Sequence, residues 1–343
     1  LGEENPIYLK TIAKLVLMLE HIRVNTLTRQ KIEKYAKELG FDLVGFSPAK
    51  IQQHYVEAFK DWIEDGNEGE MEYMKKIKER ADLTKILPGA KSVIVLAMNY
   101  YYEQEPLKEG QARVARYAYG RDYHKIITKK LKELQKFIEE NEPDSKNKRY
   151  VDTGPVIERA LAEQSGIGSI GKNSCFITKE FGSWVFLSEI ITTLDLLSLE
   201  QIDQENSTKT PKITQGICGT CTKCIDACPT GAIIAPGVID SRLCISYLTI
   251  ENKEKIPAKL AKKIAKTRCL YGCDICQEVC PHNCRQKPHS HPELSDPKIA
   301  GDQLDLKKIQ ELKTDDAYLK TFAGSPLMRA KRKGLQRNAN IVR

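Results

Sequence analysis

Residues 218–229 read CGTCTKCIDACP, and residues 269–281 read CLYGCDICQEVCP. Cys218, Cys221, Cys224 and Cys228 are spaced C-x2-C-x2-C-x3-C, and Pro229 follows. That is the run found in bacterial ferredoxins. A cubane cluster needs thiolates converging from several directions. Two-residue gaps wrap the backbone round one face and aim its amides at the cluster sulfurs. The x3-C-P step sends the fourth thiolate to a second cluster. The second copy, Cys269, Cys273, Cys276 and Cys280 before Pro281, is one residue too long at its first gap. Two 4Fe–4S cubanes need eight thiolates, and ten cysteines lie between Cys218 and Cys284. On the ferredoxin pattern Cys280 crosses to join Cys218, Cys221 and Cys224, and Cys228 crosses to join Cys273 and Cys276. The eighth ligand is Cys244, Cys269 or Cys284, and spacing leaves Cys244 and Cys269 comparable. C-x2-C pairs also suit tetrahedral zinc. Four cysteines at this spacing before a proline, with a second copy downstream, favour clusters. Fully ligated cubanes have no open iron, so they form an electron wire, and the reaction belongs elsewhere in the chain.

Around this segment stands a chain of 343 residues with 41% hydrophobic and 29% charged residues, which excludes a disordered protein. Its 54 Lys+Arg against 46 Asp+Glu give a net charge of +8. Of 11 cysteines, Cys175 alone lies outside the rich segment. A disulfide-stapled secreted domain would be short and carry a signal peptide. The one apolar run near the start, residues 15–19, is too short for a signal core or a membrane span. A reducing, cytoplasmic setting, no membrane association and a monomer are expected.

Residues 1–27 read as an N-terminal extension without an assigned role. Thr28 can cap a helix that ends at Gly40. FDLVGFSPA is a strand, residues 53–64 a helix, and SVIVLAMNYY at 92–101 a buried strand. Residues 126–140 form a lysine-rich amphipathic helix, RYVDTG a short strand, residues 155–164 a helix and residues 183–193 another strand. This alternation indicates an α/β (or α+β) domain over 28–205. A polar linker at 203–216 leads to a ferredoxin-like domain over 206–292. A helical basic segment, 293–343, closes the chain.

Five stretches together resemble the epoxyqueuosine reductase family. They are RYAYGRDYHK (116–125), VDTGPVIERALAEQSGIGSIGKNS (151–174), CGTCTKCIDACPTGAI (218–233), LCISYLTIE (243–251) and YGCDICQEVCPHN (271–283). The resemblance runs from about residue 28 to the C-terminus. It implies reduction of epoxyqueuosine to queuosine at the tRNA wobble position, with a cobalamin, two 4Fe–4S clusters and an external electron donor. The first domain would then bind the cobalamin. The resemblance places the eighth ligand at Cys244. One cluster becomes Cys218, Cys221, Cys224 and Cys280, the other Cys228, Cys244, Cys273 and Cys276, leaving Cys175, Cys269 and Cys284 outside. It makes Asp152 the proton donor to the epoxide oxygen. Such an acid works if burial keeps it protonated; the plainer reading is a helix cap before Pro155.

The resemblance also places Arg116, Tyr117, Arg121, Asp122, Tyr123 and His124 near the cobalamin and the substrate nucleotide. Arg159 is a further candidate, its plain reading an ion pair with Glu158. GIGSIGKN matches G-x-G-x-x-G, but a helix precedes it and Asn173 replaces the Ser/Thr of a P-loop. A tight turn along the cobalamin is expected instead, with Lys172, Asn173 and Ser174 as polar contacts.

Two basic stretches stand out. One holds Arg329, Lys331, Arg332, Lys333 and Arg337; the other holds Lys259, Lys262, Lys263, Lys266 and Arg268. Solvated helix faces are the default for lysine runs. A tRNA partner would use them as phosphate contacts. The helical repeat that continues many family members is expected to be absent here. Rival readings are a reductive dehalogenase, a two-cluster electron carrier and a zinc protein that binds RNA.

Overall fold

The computed structural model describes residues 27–198, 216–294, 296 and 300–343. Most of the N-terminal extension, and all but Gly216 of the expected linker, lie outside the described residues.

Thr28 caps α1 (Arg29–Glu38) by accepting the Lys31 N–H, and Gly40 takes the left-handed φ of 91° that ends it. The cap contributes about 1 kcal/mol. Then follow β1 (Leu43–Pro48), α2 (Gln53–Glu64), β2 (Ser92–Asn99), β3 (Gln111–Val114), α3 (Tyr123–Asn141), β4 (Asn147–Tyr150), α4 (Glu158–Gln164) and β5 (Val185–Thr192). Four strands make one sheet in the order β1-β2-β5-β4, antiparallel throughout. The parallel sheet that βα alternation suggests is therefore not present. The layers are nevertheless those of a sheet covered on both faces. Ile94, Leu96 and Met98 of β2 face α1 and α3, while Val93 and Val95 face the α4 side. That two-sided burial is why β2 reads as an unbroken apolar run.

Three boundaries differ from expectation, and all matter for the site. Strand β4 ends at Tyr150, so VDTG of the expected RYVDTG strand is not strand. Helix α3 begins at Tyr123 rather than 126, because Asp122 caps it by accepting the His124 N–H. Helix α4 begins at Glu158 rather than 155, with Ile157 as its cap residue. Residues 151–157 are thereby left as an irregular loop.

The cysteine segment supplies α5 (Lys223–Ala227), α6 (Ile245–Ile250), α7 (Ala258–Thr267), β6 (Cys269–Tyr271) and α8 (Ile275–Glu278). The C-terminal part adds β7 (Gln303–Asp305), α9 (Leu306–Glu311), α10 (Asp315–Phe322) and α11 (Lys331–Val342). A second sheet, β6-β3-β7, takes one strand from each of the three regions. β6 runs parallel to β3, and β7 antiparallel. At this seam Gly272 (φ +72°) admits no side chain, since a Cβ there would come 2.6 Å from the Ala115 Cβ. The three regions thus share one core, which includes Val114, Leu270, Tyr271, Leu306 and Leu335.

Candidate active site and cluster ligands

The thiols come first because they are local. Cys218, Cys221, Cys224 and Cys280 line one cavity, with Lys223, Asn173 and His282 at its sides. Among the described residues, no three His, Cys, Asp or Glu side chains converge tightly enough to grip a single ion. The four thiols stand around a space instead, as a cubane requires. Cys244 lies within electrostatic reach of Cys228 and Cys276. Cys269 instead neighbours Cys273, and Cys175 hydrogen-bonds with Cys276. Cys284 is exposed. Backbone amides point at several sulfurs: Lys172 N–H to Cys218 (3.4 Å) and Ala232 N–H to Cys228 (3.3 Å). Cys244 receives the amides of Ser246 and Tyr247. Amides aimed at sulfur favour the thiolate, so this donor set fits two iron–sulfur clusters.

The turn over residues 166–174 faces this segment. Lys172 Nζ donates to the Gly219 and Cys221 carbonyls at 2.7 and 3.1 Å. Asn173, 2% exposed, donates to the Cys276 carbonyl, and Ser174 Oγ donates to the Gly237 carbonyl. Arg159 donates to the Ser174 carbonyl, and its hydrogen bond is to that oxygen rather than to Glu158. Lys172, Asn173 and Ser174 fasten the glycine turn to the cysteine segment, and Arg159 ties the same turn to α4.

Arg116 likewise reaches across. Its guanidinium lies 2.8 Å from Glu278 and 3.5 Å from Asp274, over the Trp184 ring, with its side chain 10% exposed. Tyr117 packs against Tyr123 and Tyr271. Arg121 is paired with Asp296 at the surface.

The rest of the RYAYGRDYHK stretch turns to Asp152. Asp122 Oδ1 lies 2.7 Å from His124 Nδ1, and His124 Nε2 lies 3.2 Å from Asp152 Oδ2. Tyr123 stacks on Phe186 and His124, and its hydroxyl hydrogen-bonds Asp152. Asp152 adopts a left-handed φ of 56°, which Asp tolerates better than most residues. Its own N–H donates to Glu158 Oε1 at 2.6 Å, and the cap position of the helix that follows is Ile157, so Asp152 is not a helix cap.

Its charge state also differs from expectation. Protein packs densely beneath Asp152, yet 61% of its side-chain surface stays accessible. Burial pushes its carboxyl up, but the His124 hydrogen bond and charge outweigh this and hold it below the usual range. Burial would lower the His124 imidazole, but the hydrogen bonds to Asp122 and Asp152 push it up to about 9. The proton at this site is therefore carried by an imidazolium–carboxylate pair and not by a sealed acid.

Sequence reasoning missed the groups behind that pair. Burial, and then the Asp152 charge, push Glu158 up to about 8. Glu189, 1% exposed on β5, hydrogen-bonds Glu158. One signal was there to find: a lone acid inside the apolar strand WVFLSEIITT. At the rim, Tyr73 is 45% exposed and lies under Arg329, within electrostatic reach of Asp152.

The two basic stretches adjoin, because α11 packs on α7. Lys331 and Lys333 are exposed, as are Lys259, Lys262 and Lys266. The arginines are engaged within the chain. Arg329 forks onto Glu251 at 2.8 and 2.9 Å, and Arg332 reaches Asp315 at 2.6 Å. Arg337 donates to the carbonyls of Leu248, Asn252 and Glu254. Among the described residues no helix is long and apolar enough to cross a membrane.

Comparison with known proteins decides between the rival readings. Residues 80–153 match the family model described as epoxyqueuosine reductase QueG, DUF1730, and residues 217–283 match a 4Fe-4S double cluster binding domain. The epoxyqueuosine reductase of Gloeobacter violaceus is 41% identical over 91% of this chain and 94% of its own length. That of Pseudomonas aeruginosa is 36% identical over 88% and 81%. Among solved structures, an epoxyqueuosine reductase with an epoxyqueuosine-modified tRNA-Tyr stem loop superposes with a TM-score of 0.80 at 33% identity. It covers 92% of this chain and 80% of that one. The Bacillus subtilis enzyme, solved with its catalytic aspartate loop swung out of the active site, also gives 0.80, at 32% identity and the same coverage. Such identity, sustained over nine-tenths of the chain, shows that it belongs to the epoxyqueuosine reductase family of oxidoreductases.

Proposed function

We propose that this epoxyqueuosine reductase acts on tRNA at the Asp152 recess, with Asp152 and His124 together supplying the proton to the departing epoxide oxygen. The observation that carries this reading is the hydrogen-bonded Asp122–His124–Asp152 chain, which ends on an accessible carboxylate. Converting an epoxide to an alkene releases its oxygen as water, which takes two electrons and two protons. An alkoxide formed as the C–O bond breaks is far more basic than a carboxylate. His124 Nε2 gives its proton across 3.2 Å to Asp152 Oδ2 as that carboxyl group hands a proton on to the alkoxide. Asp122 holds the imidazole in position through Nδ1. The catalytic aspartate loop of the Bacillus subtilis relative supports assigning Asp152 to this work.

The cofactors enter through the residues that fit them. Cys218, Cys221, Cys224 and Cys280 would hold one 4Fe–4S cluster, and Cys228, Cys244, Cys273 and Cys276 the other. A cobalamin would lie beside the accessible Asp152, His124 and Tyr73 side chains rather than against Arg116 or Lys172–Ser174, which are engaged within the chain. Bound there, the clusters would supply single electrons and the cobalamin a strongly reducing metal. For tRNA, the joined α7–α11 surface offers Lys331, Lys333, Lys259, Lys262 and Lys266 as phosphate contacts. The tRNA stem loop bound to a relative supports that substrate.

Anaerobic reconstitution with iron, sulfide and cobalamin, then incubation with epoxyqueuosine-tRNA and a reductant, tests the reading. The expected product is a nucleoside lacking one oxygen. Asp152→Asn should lower turnover by about 10²–10⁴-fold with bound iron unchanged. Turnover without cobalamin, or full turnover by Asp152→Asn, would overturn it.

A further inference from the structure

Behind the Asp152 loop two carboxyl groups face each other without a conventional donor. Glu189 projects from the middle of β5 into the layer occupied by α4, and it is 1% exposed. Among the described residues its Oε1 has no hydrogen-bonding partner. Its neighbour across the gap is Glu158, whose Oε1 also accepts the Asp152 N–H at 2.6 Å. Two carboxylates in contact inside protein repel strongly, and a proton shared between them removes the repulsion and supplies the missing donor. The other end of the loop is fixed separately, by buried Arg80 donating to the Val156 carbonyl at 2.7 Å.

We propose that Glu158 and Glu189 share one proton and act as a latch that holds the Asp152 loop in its working position. Glu158 is a positioning residue here: it acts through Asp152. The charged and titratable groups facing it are Glu189, Asp152, Arg159, Arg80 and Tyr123. Those facing Glu189 are Glu158, Asp152 and Tyr150. Asp152 in turn faces His124, Tyr123 and Arg329. No cation hydrogen-bonds Glu189, so loss of the shared proton leaves three acids crowded together. A charged acceptor strengthens the Asp152 N–H bond only about twofold, and the repulsion outweighs that. The latch opens, and Asp152 is freed to leave the recess. That a relative's aspartate loop has been seen swung out shows that such a loop has two positions. Burial and the neighbouring acids raise both carboxyl groups, so the folded pair still holds its shared proton at neutral pH and loses it only at alkaline pH.

The catalytic consequence rests on Asp152 being the proton donor; the latch itself does not, so the two are measured separately. Hydrogen exchange of the peptide spanning residues 150–155, in the reconstituted holoenzyme, reads the Asp152 N–H directly. In the wild-type chain, protection corrected for intrinsic exchange should fall as pH rises into the alkaline range where the pair loses its proton. Glu158→Gln keeps an oxygen for the Asp152 N–H and offers its amide to Glu189. It should keep protection, and kcat, up to about pH 9, where His124 deprotonates. Glu158→Ala should lose protection at all pH values and lower kcat by about 10–100-fold, with iron content unchanged. Protection that is independent of pH in the wild-type chain, or equal in wild type and Glu158→Ala, would overturn the latch. If protection follows these expectations and turnover does not, the latch stands and the proton-donor role of Asp152 falls.

Discussion

The cysteine segment and the Asp152 recess are built in opposite ways. Seven of the eight proposed cluster thiols sit in two short runs, where two-residue gaps bring the sulfurs together almost by local geometry. The recess draws on four places: the cap of α3, the loop before α4, the first residue of α4 and the middle of β5. Apart from Glu189, a lone acid in an apolar strand, nothing at those positions is unusual in sequence terms. A cap Asp, a neighbouring His and a strand Glu acquire chemistry only when the sheet stacks them. The difference teaches that spacing encodes metal ligands and that three-dimensional packing encodes acid–base groups.

The exception inside the cysteine segment offers the largest test. Cys244 is the one proposed ligand that lies outside both runs, and packing brings it near Cys228 and Cys276. Cys269 is part of the second run, yet it lies in β6 beside Cys273. Cys244→Ala should lose up to half the bound iron and abolish turnover; Cys269→Ala should keep its full iron and sulfide. The reverse outcome would mean that spacing, not packing, chooses the eighth ligand.

That contrast also marks how much could be read in advance. Helix α1 with its Thr28 cap, helix α2 and the buried strand β2 were legible because periodicity and capping are local signals. The sheet's antiparallel order was not, since it depends on which ends the connections enter. Arg116, Lys172, Asn173 and Ser174 were recognisable as special residues but not as fasteners, because their partners lie about 45 to 160 positions away. Asp152 was legible by family likeness alone. Its ionised state follows from His124, which only the capped start of α3 brings within reach.

A second test works within the recess. In the Glu158→Gln background, activity should hold below pH 9 and fall as pH rises through about 9, as His124 loses its proton. The sign follows from the shift. His124 is raised, so its pairing with Asp152 is complete below its ordinary value near 6.5 and fades through about 9. Asp152 is lowered, so its share persists down through the usual carboxylate range. His124→Gln in that background should remove this limb and lower kcat by roughly tenfold. A limb near 9 that survives without His124 would assign it to another group.

The smallest expected effect concerns the basic surface, where sequence and packing disagree within one helix. All five residues of the C-terminal stretch carry charge, so composition treats them alike. Packing separates them: Lys331 and Lys333 face solvent, while Arg332 and Arg337 are bound to Asp315 and to backbone carbonyls. A phosphate contact requires a cation free to displace the counterions condensed on the nucleic acid, so only the lysines should register in salt dependence. Replacing both with Gln should weaken binding of a tRNA stem loop several-fold near physiological salt. It should also reduce the slope of log K against log salt by roughly one per lysine. Arg337→Gln should leave the slope alone and lower thermal stability, because the carbonyls of Leu248, Asn252 and Glu254 lose their donor. If Arg337→Gln flattens the slope and the lysine pair does not, the arginine lets go of its carbonyls to meet the tRNA, and the surface rearranges on binding.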